Sequence, residues 1–258
     1  MIAMKKIIKV NNVNIGSGIP KICVPIVGSC DDDIISQIRR IKGKPYDMIE
    51  WRMDYYDEVF DNDKVKSILE KIRKEIDDTI LLCTFRTKAE GGEKAIDNNS
   101  YIELYKVIID TQSIDFIDVE MFLGEEVAQT LVEYAHEKNV YVIMSNHDFQ
   151  KTPSKAEIID RLITMQSLGA DIPKIAVMPR DTTDVLTLLT ATDEMNREYA
   201  DRPIITMSMS ALGVISRIAG ETFGSCITFG AGEQSSAPGQ VEVKALSYIL
   251  DNISAEKK

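Results

Sequence analysis

The chain has 258 residues, 44% hydrophobic and 28% charged, a length and composition that suit one α/β barrel of about 250 residues and exclude a disordered or fibrous chain. Its formal net charge of −11, from 30 Lys and Arg against 41 Asp and Glu, argues against a nucleic-acid or anionic-membrane partner, so local arginines must attract any anionic substrate. No signal-like apolar stretch opens the chain and no run approaches the ~20 apolar residues of a membrane span, so a cytoplasmic protein is expected.

Residues 5–15 alternate around Asn11-Asn12 and read as a short N-terminal β-hairpin that could plug the bottom of a barrel. Eight apolar, β-branched runs follow: Ile22 to Val27, Met48 to Arg52, Ile80 to Arg86, Phe116 to Glu120, Val140 to Ser145, Lys174 to Met178, Ile204 to Met209 and Cys226 to Phe229. Between them lie segments of helical period, such as Ile34, Ile38, Ile41 and then Val65, Ile68, Leu69, Ile72. Further helices fit Tyr101 to Asp110, Glu126 to Glu137, Lys155 to Leu168, Thr183 to Tyr199, Ala211 to Ile218 and Val241 to Ile253, with Ser100 and Ser154 as cap-like openers. Eight alternations without a linker favour a single (β/α)8 TIM barrel domain across residues 1–258 over an open doubly wound sheet. No GxGxxG follows a strand. The four cysteines, Cys23, Cys30, Cys83 and Cys226, form no CxxC pair and no metal-ligand spacing, and read as reduced thiols.

In such a barrel the chemistry sits at the carboxyl ends of the strands. There the sequence places Glu50 and Arg52 on one strand, Thr84 and Arg86 with Glu90 beyond the next, Glu120, then Ser145 and His147, and after the seventh strand Ser208, Ser210 and Arg217. Residues two apart in a strand share a face, so Glu50 with Arg52, and Thr84 with Arg86, point together toward the mouth or form an ion pair inside the barrel. His147 has an acid–base group at the mouth, whereas His136 lies in a helix and reads as a surface histidine.

Lys174 is the anomaly. Apolar Ile175, Ala176, Val177 and Met178 follow it, and Pro173 and Pro179 bound the run. Its ammonium either reaches water along an apolar stem or is desolvated toward a neutral, nucleophilic amine. The acid–base histidine, carboxylates and arginines around it fit a keto or aldehyde anion as substrate.

Ordered blocks then carry a resemblance: Glu50-Trp51-Arg52-Met53-Asp54, Thr84-Phe85-Arg86-Thr87-Lys88-Ala89-Glu90-Gly91-Gly92, Asp118-Val119-Glu120, Ser145-Asn146-His147-Asp148-Phe149, Lys174 to Met178, Met207 to Gly213, Ser216-Arg217, Phe229-Gly230-Ala231 and Ser236 to Gln240. In these the chain resembles type I 3-dehydroquinate dehydratases over nearly its whole length. The resemblance implies a (β/α)8 homodimer that converts the anion 3-dehydroquinate to 3-dehydroshikimate with no cofactor or metal. By motif, Lys174 would form the imine, His147 would move the protons and Glu90 would orient or tune it. Glu50, Arg52 and Arg86 would hold ring hydroxyls, while Arg217, Ser236 and Gln240 would bind the carboxylate. The small-residue segment 230–239 reads as a lid over the substrate. A class I aldolase and a silent metabolite-binding barrel are the rivals, and Met1 to Met4 fit an alternative start.

Overall fold

The structure, a computed structural model, describes residues 6–232 and 237–255. Two short strands, β1 (Ile8–Val10) and β2 (Val13–Ile15), pair antiparallel with Val10 opposite Val13. The turn between them relies on Asn11 in a left-handed conformation at φ 50°, which asparagine tolerates better than most residues.

Eight parallel strands follow: β3 (Lys21–Ile26), β4 (Met48–Arg52), β5 (Ile80–Thr84), β6 (Phe116–Glu120), β7 (Tyr141–Asp148), β8 (Ile172–Val177), β9 (Ile205–Ser208) and β10 (Ile227–Phe229). They run in the order β10-β3-β4-β5-β6-β7-β8-β9. The remaining edge is closed by an isolated bridge between Ile204 and Ser225 and by Cys226 N–H donating to the Ile204 carbonyl at 2.9 Å. Helices α1 (Asp31–Ile41), α2 (Asn62–Ile76), α3 (Asn98–Asp110), α4 (Glu125–Glu137), α5 (Lys155–Ser167), α6 (Thr182–Glu194), α7 (Val214–Ile218), α8 (Gly220–Phe223) and α9 (Val243–Ile253) cover the outside. The architecture is the expected TIM barrel with its hairpin.

Two apolar cores separate by strand face. Outward residues such as Ile49, Trp51, Leu81, Cys83 and Val119 pack against the helices. Inward residues at the strand starts, Met48, Ile80, Phe116, Ile143, Ile172 and Ile205, form a second cluster that includes Ile8, Val10 and Ile15 of the hairpin. The hairpin therefore closes the amino-terminal end of the barrel, and the polar inward residues collect at the other end.

Several boundaries differ from the sequence reading. β5 ends at Thr84 because the next two amides leave the ladder, Phe85 N–H donating to the Tyr105 hydroxyl at 2.9 Å and Arg86 N–H to Asp54 at 3.4 Å. β8 begins at Ile172, so Pro173 lies inside the strand rather than bounding it. Ser154 caps α5 as expected, but α3 is capped by Asp97, whose carboxylate also accepts from the Ser100 hydroxyl at 2.7 Å. Among the described residues no helix is long and apolar enough to cross a membrane.

Candidate active site

At the carboxyl end of the strands lies a pocket bordered by Glu50, Arg52, Arg86, Glu90, His147, Lys174, Arg217 and Gln240. Eight of the nine site residues named from sequence thus meet in one place. The ninth, Ser236, lies outside the described residues, as does the middle of the 230–239 segment. Ala237 also borders the cavity, and the Pro238 carbonyl accepts from Arg217 at 3.1 Å.

Lys174 is only 3% exposed. Its Nζ donates to Asp118 Oδ2 at 2.9 Å and sits 4.6 Å from the centre of the Phe229 ring. Asp118, fully buried, also accepts from Arg86 at 2.8 Å and from the Ser145 hydroxyl at 2.5 Å. Burial by itself would raise this carboxyl, but Arg86, Lys174 and His147 outweigh burial and hold it well below the usual carboxylate range. Arg86 reaches onward to Glu120 at 2.7 Å and Glu90 at 3.7 Å. Burial works against its charge, yet Asp118, Glu120 and Glu90 together drive its pKa upward.

His147 Nδ1 stands 3.0 Å from Glu90 Oε2, which also accepts the His147 backbone N–H at 2.9 Å. Placing a carboxylate at Nδ1 selects the tautomer with its proton there and leaves the Nε2 lone pair as a base. Desolvation, then the positive Arg86 and Lys174, push the imidazole well below its ordinary value, so it is neutral near pH 7. Desolvation, opposed by Arg86 and reinforced by Glu120, pushes Glu90 up to about 7. The two groups are thus poised on either side of one proton.

The loop that presents Glu90 is held tightly. Glu120 accepts from Thr87 N–H at 2.8 Å and from its hydroxyl at 2.6 Å. A side chain at Gly92 would put its Cβ 1.9 Å from the Arg86 carbonyl oxygen, and Gly91 turns at φ 86° against Phe149. Gly92 therefore answers to close backbone approach, and Gly91 to a left-handed turn packed against the Phe149 ring.

On the adjacent strand β4, Glu50 accepts from Thr84 at 2.8 Å and Arg52 forks onto Asp54 with two contacts of 2.8 Å. Arg217 differs from every other arginine here. It is 2% exposed, its Nε has no hydrogen-bond partner among the described residues, and its other nitrogens reach the Pro238 carbonyl at 3.1 Å and the Met207 sulfur at 3.7 Å. Desolvation alone lowers it to about 10. A buried guanidinium without an anion is the place where an anionic ligand gains most.

Some participants escaped the sequence reading. Asp118 shares the inward face with Glu120, two residues away, so strand alternation alone could have exposed it. Asp54 lies in a short helical turn (Met53–Tyr55), where no period marks it, although it is fully buried and anchors Arg52. His136 is half-exposed, but its Nε2 lies 2.8 Å from buried Asp171, so it ties α4 to the start of β8 rather than standing free on the surface. All four cysteines are free thiols, and only Cys30 is exposed.

The family model described as type I 3-dehydroquinase matches residues 22–257. The 3-dehydroquinate dehydratase of Clostridioides difficile is 54% identical over 248 residues, 96% of this chain and 97% of its own length. That of Bacillus subtilis is 51% identical over 95% of this chain and 96% of its own. A crystal structure of the Clostridium difficile type I enzyme, carrying covalently modified comenic acid, superposes with a TM-score of 0.95 at 53% identity, covering 97% of this chain and 98% of that one.

Proposed function

The chain belongs to the type I 3-dehydroquinase family, and from that membership we propose that it removes water from 3-dehydroquinate, giving 3-dehydroshikimate, through an imine on Lys174. The observation that carries this reading is the convergence on one pocket of Lys174, neutral His147 and Arg217, which has no carboxylate partner among the described residues.

The steps follow from the groups present. The Lys174 amine adds to the substrate ketone and water leaves, forming an iminium. His147 Nε2 then takes a proton from the carbon between the iminium and the hydroxyl-bearing carbon, and the electron pair passes to the iminium nitrogen as an enamine. The pair returns to form the carbon–carbon double bond as the hydroxyl departs with the proton held by His147. Water hydrolyses the conjugated iminium, releasing the enone and restoring the amine. Glu90 orients the imidazole and stabilises its charged form. Glu50, Arg52 and Arg86 hold ring hydroxyls, while Arg217, with Gln240 and Ser236, binds the carboxylate. A planar guanidinium suits a carboxylate better than an ammonium would.

The same reading takes residues 1–258 as one barrel domain acting as a homodimer in the cytoplasm without metal or organic cofactor. Adding 3-dehydroquinate and following enone absorbance tests it. Enone product that is lost on Lys174→Met supports the reading. Carbon–carbon cleavage products would indicate an aldolase, and saturable binding without turnover a silent barrel; either overturns it.

A further inference from the structure

Glu90 is gripped from two sides of β7. His147 points into the barrel and Asn146 points the opposite way, into the layer beneath α5, where it is 2% exposed. Asn146 Nδ2 nevertheless donates to Glu90 Oε1 at 3.2 Å, while Glu90 Oε2 faces the His147 ring. The amide's own oxygen accepts from Arg161 of α5 at 2.7 Å. A guanidinium has no acceptor, so this contact fixes which end of the amide faces Glu90: it is the NH2 end.

Arg161 is itself immobilised. It bonds Glu157 one helical turn away, lies 4.0 Å from Asp148, and its guanidinium stacks 5.2 Å from the Phe122 ring centre. Its side chain is 14% exposed, so its charge is only partly screened.

We propose that Asn146, aligned by Arg161, is a positioning residue for the reaction, holding the Glu90 carboxylate on the His147 imidazole and favouring its charged form. The proposal rests on the roles given above to Glu90 and His147. Around Glu90, Arg86 at 3.7 Å from the end of β5 also favours the anion, whereas Glu120 of β6 opposes it. Asn146 and the His147 amide are the neutral donors on the β7 side. Asp148 and Glu157 lie behind Arg161 and temper its charge. Without the Asn146 donor, the carboxyl is free to rotate off Nδ1 and to keep its proton to higher pH.

The experiment compares wild type, Asn146→Ala, Arg161→Met, Glu90→Gln and the double variant Asn146→Ala/Glu90→Gln, with kcat and KM for 3-dehydroquinate measured across pH. Asn146→Ala is expected to lower kcat roughly tenfold or more, the scale of one hydrogen bond to a charged group, with KM within about twofold. The acidic limb of its kcat/KM profile should move up by about one pH unit, the equivalent of a tenfold change. Arg161→Met, which leaves the buried amide in place, should move the limb in the same direction and by less. In the Glu90→Gln background the Asn146 change should have little further effect, since its target is gone.

A limb that stays put in both folded single variants overturns the proposal, as do effects that multiply in the double variant. A Glu90→Gln enzyme with a wild-type profile would instead sink the underlying role of Glu90, and the proposal with it. The two failures are therefore distinguishable.

Discussion

Lys174 Nζ and Asp118 Oδ2 lie 2.9 Å apart at the floor of the cavity, and Asp118 is fully buried. The sequence drew attention to glutamates at the strand ends as partners for this lysine; the carboxylate in contact is the aspartate. Asp118 balances Lys174 and Arg86 together. Asp118→Asn should therefore leave two buried cations short of an anion and destabilise the fold by ~3–5 kcal/mol, the usual scale for breaking a buried pair. Because the folded-state carboxyl is held below its ordinary value of 3.8, wild type should keep its advantage above that pH and lose it progressively on acidification below it. Urea denaturation of both proteins between neutral pH and acid checks both statements.

Glu90 and His147 shift in opposite directions, and their linked protons nearly cancel. Just below the ordinary histidine value of 6.5 the unfolded chain holds its proton on histidine, while the folded protein, with His147 pushed below that value and Glu90 raised to about 7, holds it on Glu90. Both states then bind one proton, so the pair adds little slope to stability there. Glu90→Gln removes one side of the balance. Below pH 6.5 its unfolded state binds the extra histidine proton, and relative to wild type its stability should rise with pH by up to ~1.4 kcal/mol per unit until 6.5. Melting midpoints at pH 5 to 7 measure it.

Arg217 carries a buried charge with no carboxylate among the described residues. Arg217→Met should make the free protein more stable, by about 1 kcal/mol, while lowering kcat/KM by roughly 10²-fold or more through lost carboxylate binding. Raising the melting temperature while weakening the enzyme is the signature of a group retained for its ligand. Thermal melts and steady-state kinetics on the same preparation decide it.

Gly92 sets the position of Glu90 through the backbone. Its missing Cβ would fall 1.9 Å from the Arg86 carbonyl oxygen, so Gly92→Ala must displace the loop. A shift near 1 Å at a catalytic group typically costs ~10²-fold. The variant should lose most of its kcat yet still form the imine, since Lys174 stands on β8 and not on this loop.

What was legible in the sequence, and what was not, divides along physical lines. Strand alternation and apolar runs marked all eight barrel strands, and Phe116–Glu120 and Met48–Arg52 match to the residue. Inward pairs such as Glu50 with Arg52 followed from the two-residue period. The strand end at Thr84 depends on contacts to Tyr105 and Asp54, distant in sequence, and no local pattern announces them. The same holds for the site: Lys174 stood out as a charge among apolar neighbours, whereas Asn146 did not, because its value lies in the company of Glu90, 56 positions away, and of Arg161 on the covering helix.

In the proposed reaction Lys174 bonds covalently to the substrate ketone. Incubating the protein with 3-dehydroquinate and borohydride, then mapping peptides by mass, tests it most directly. A reduced adduct is expected on the peptide bearing Lys174, retained in a folded His147→Ala variant and absent in Lys174→Met. Full turnover with no adduct at Lys174, or an adduct on another lysine, would contradict it.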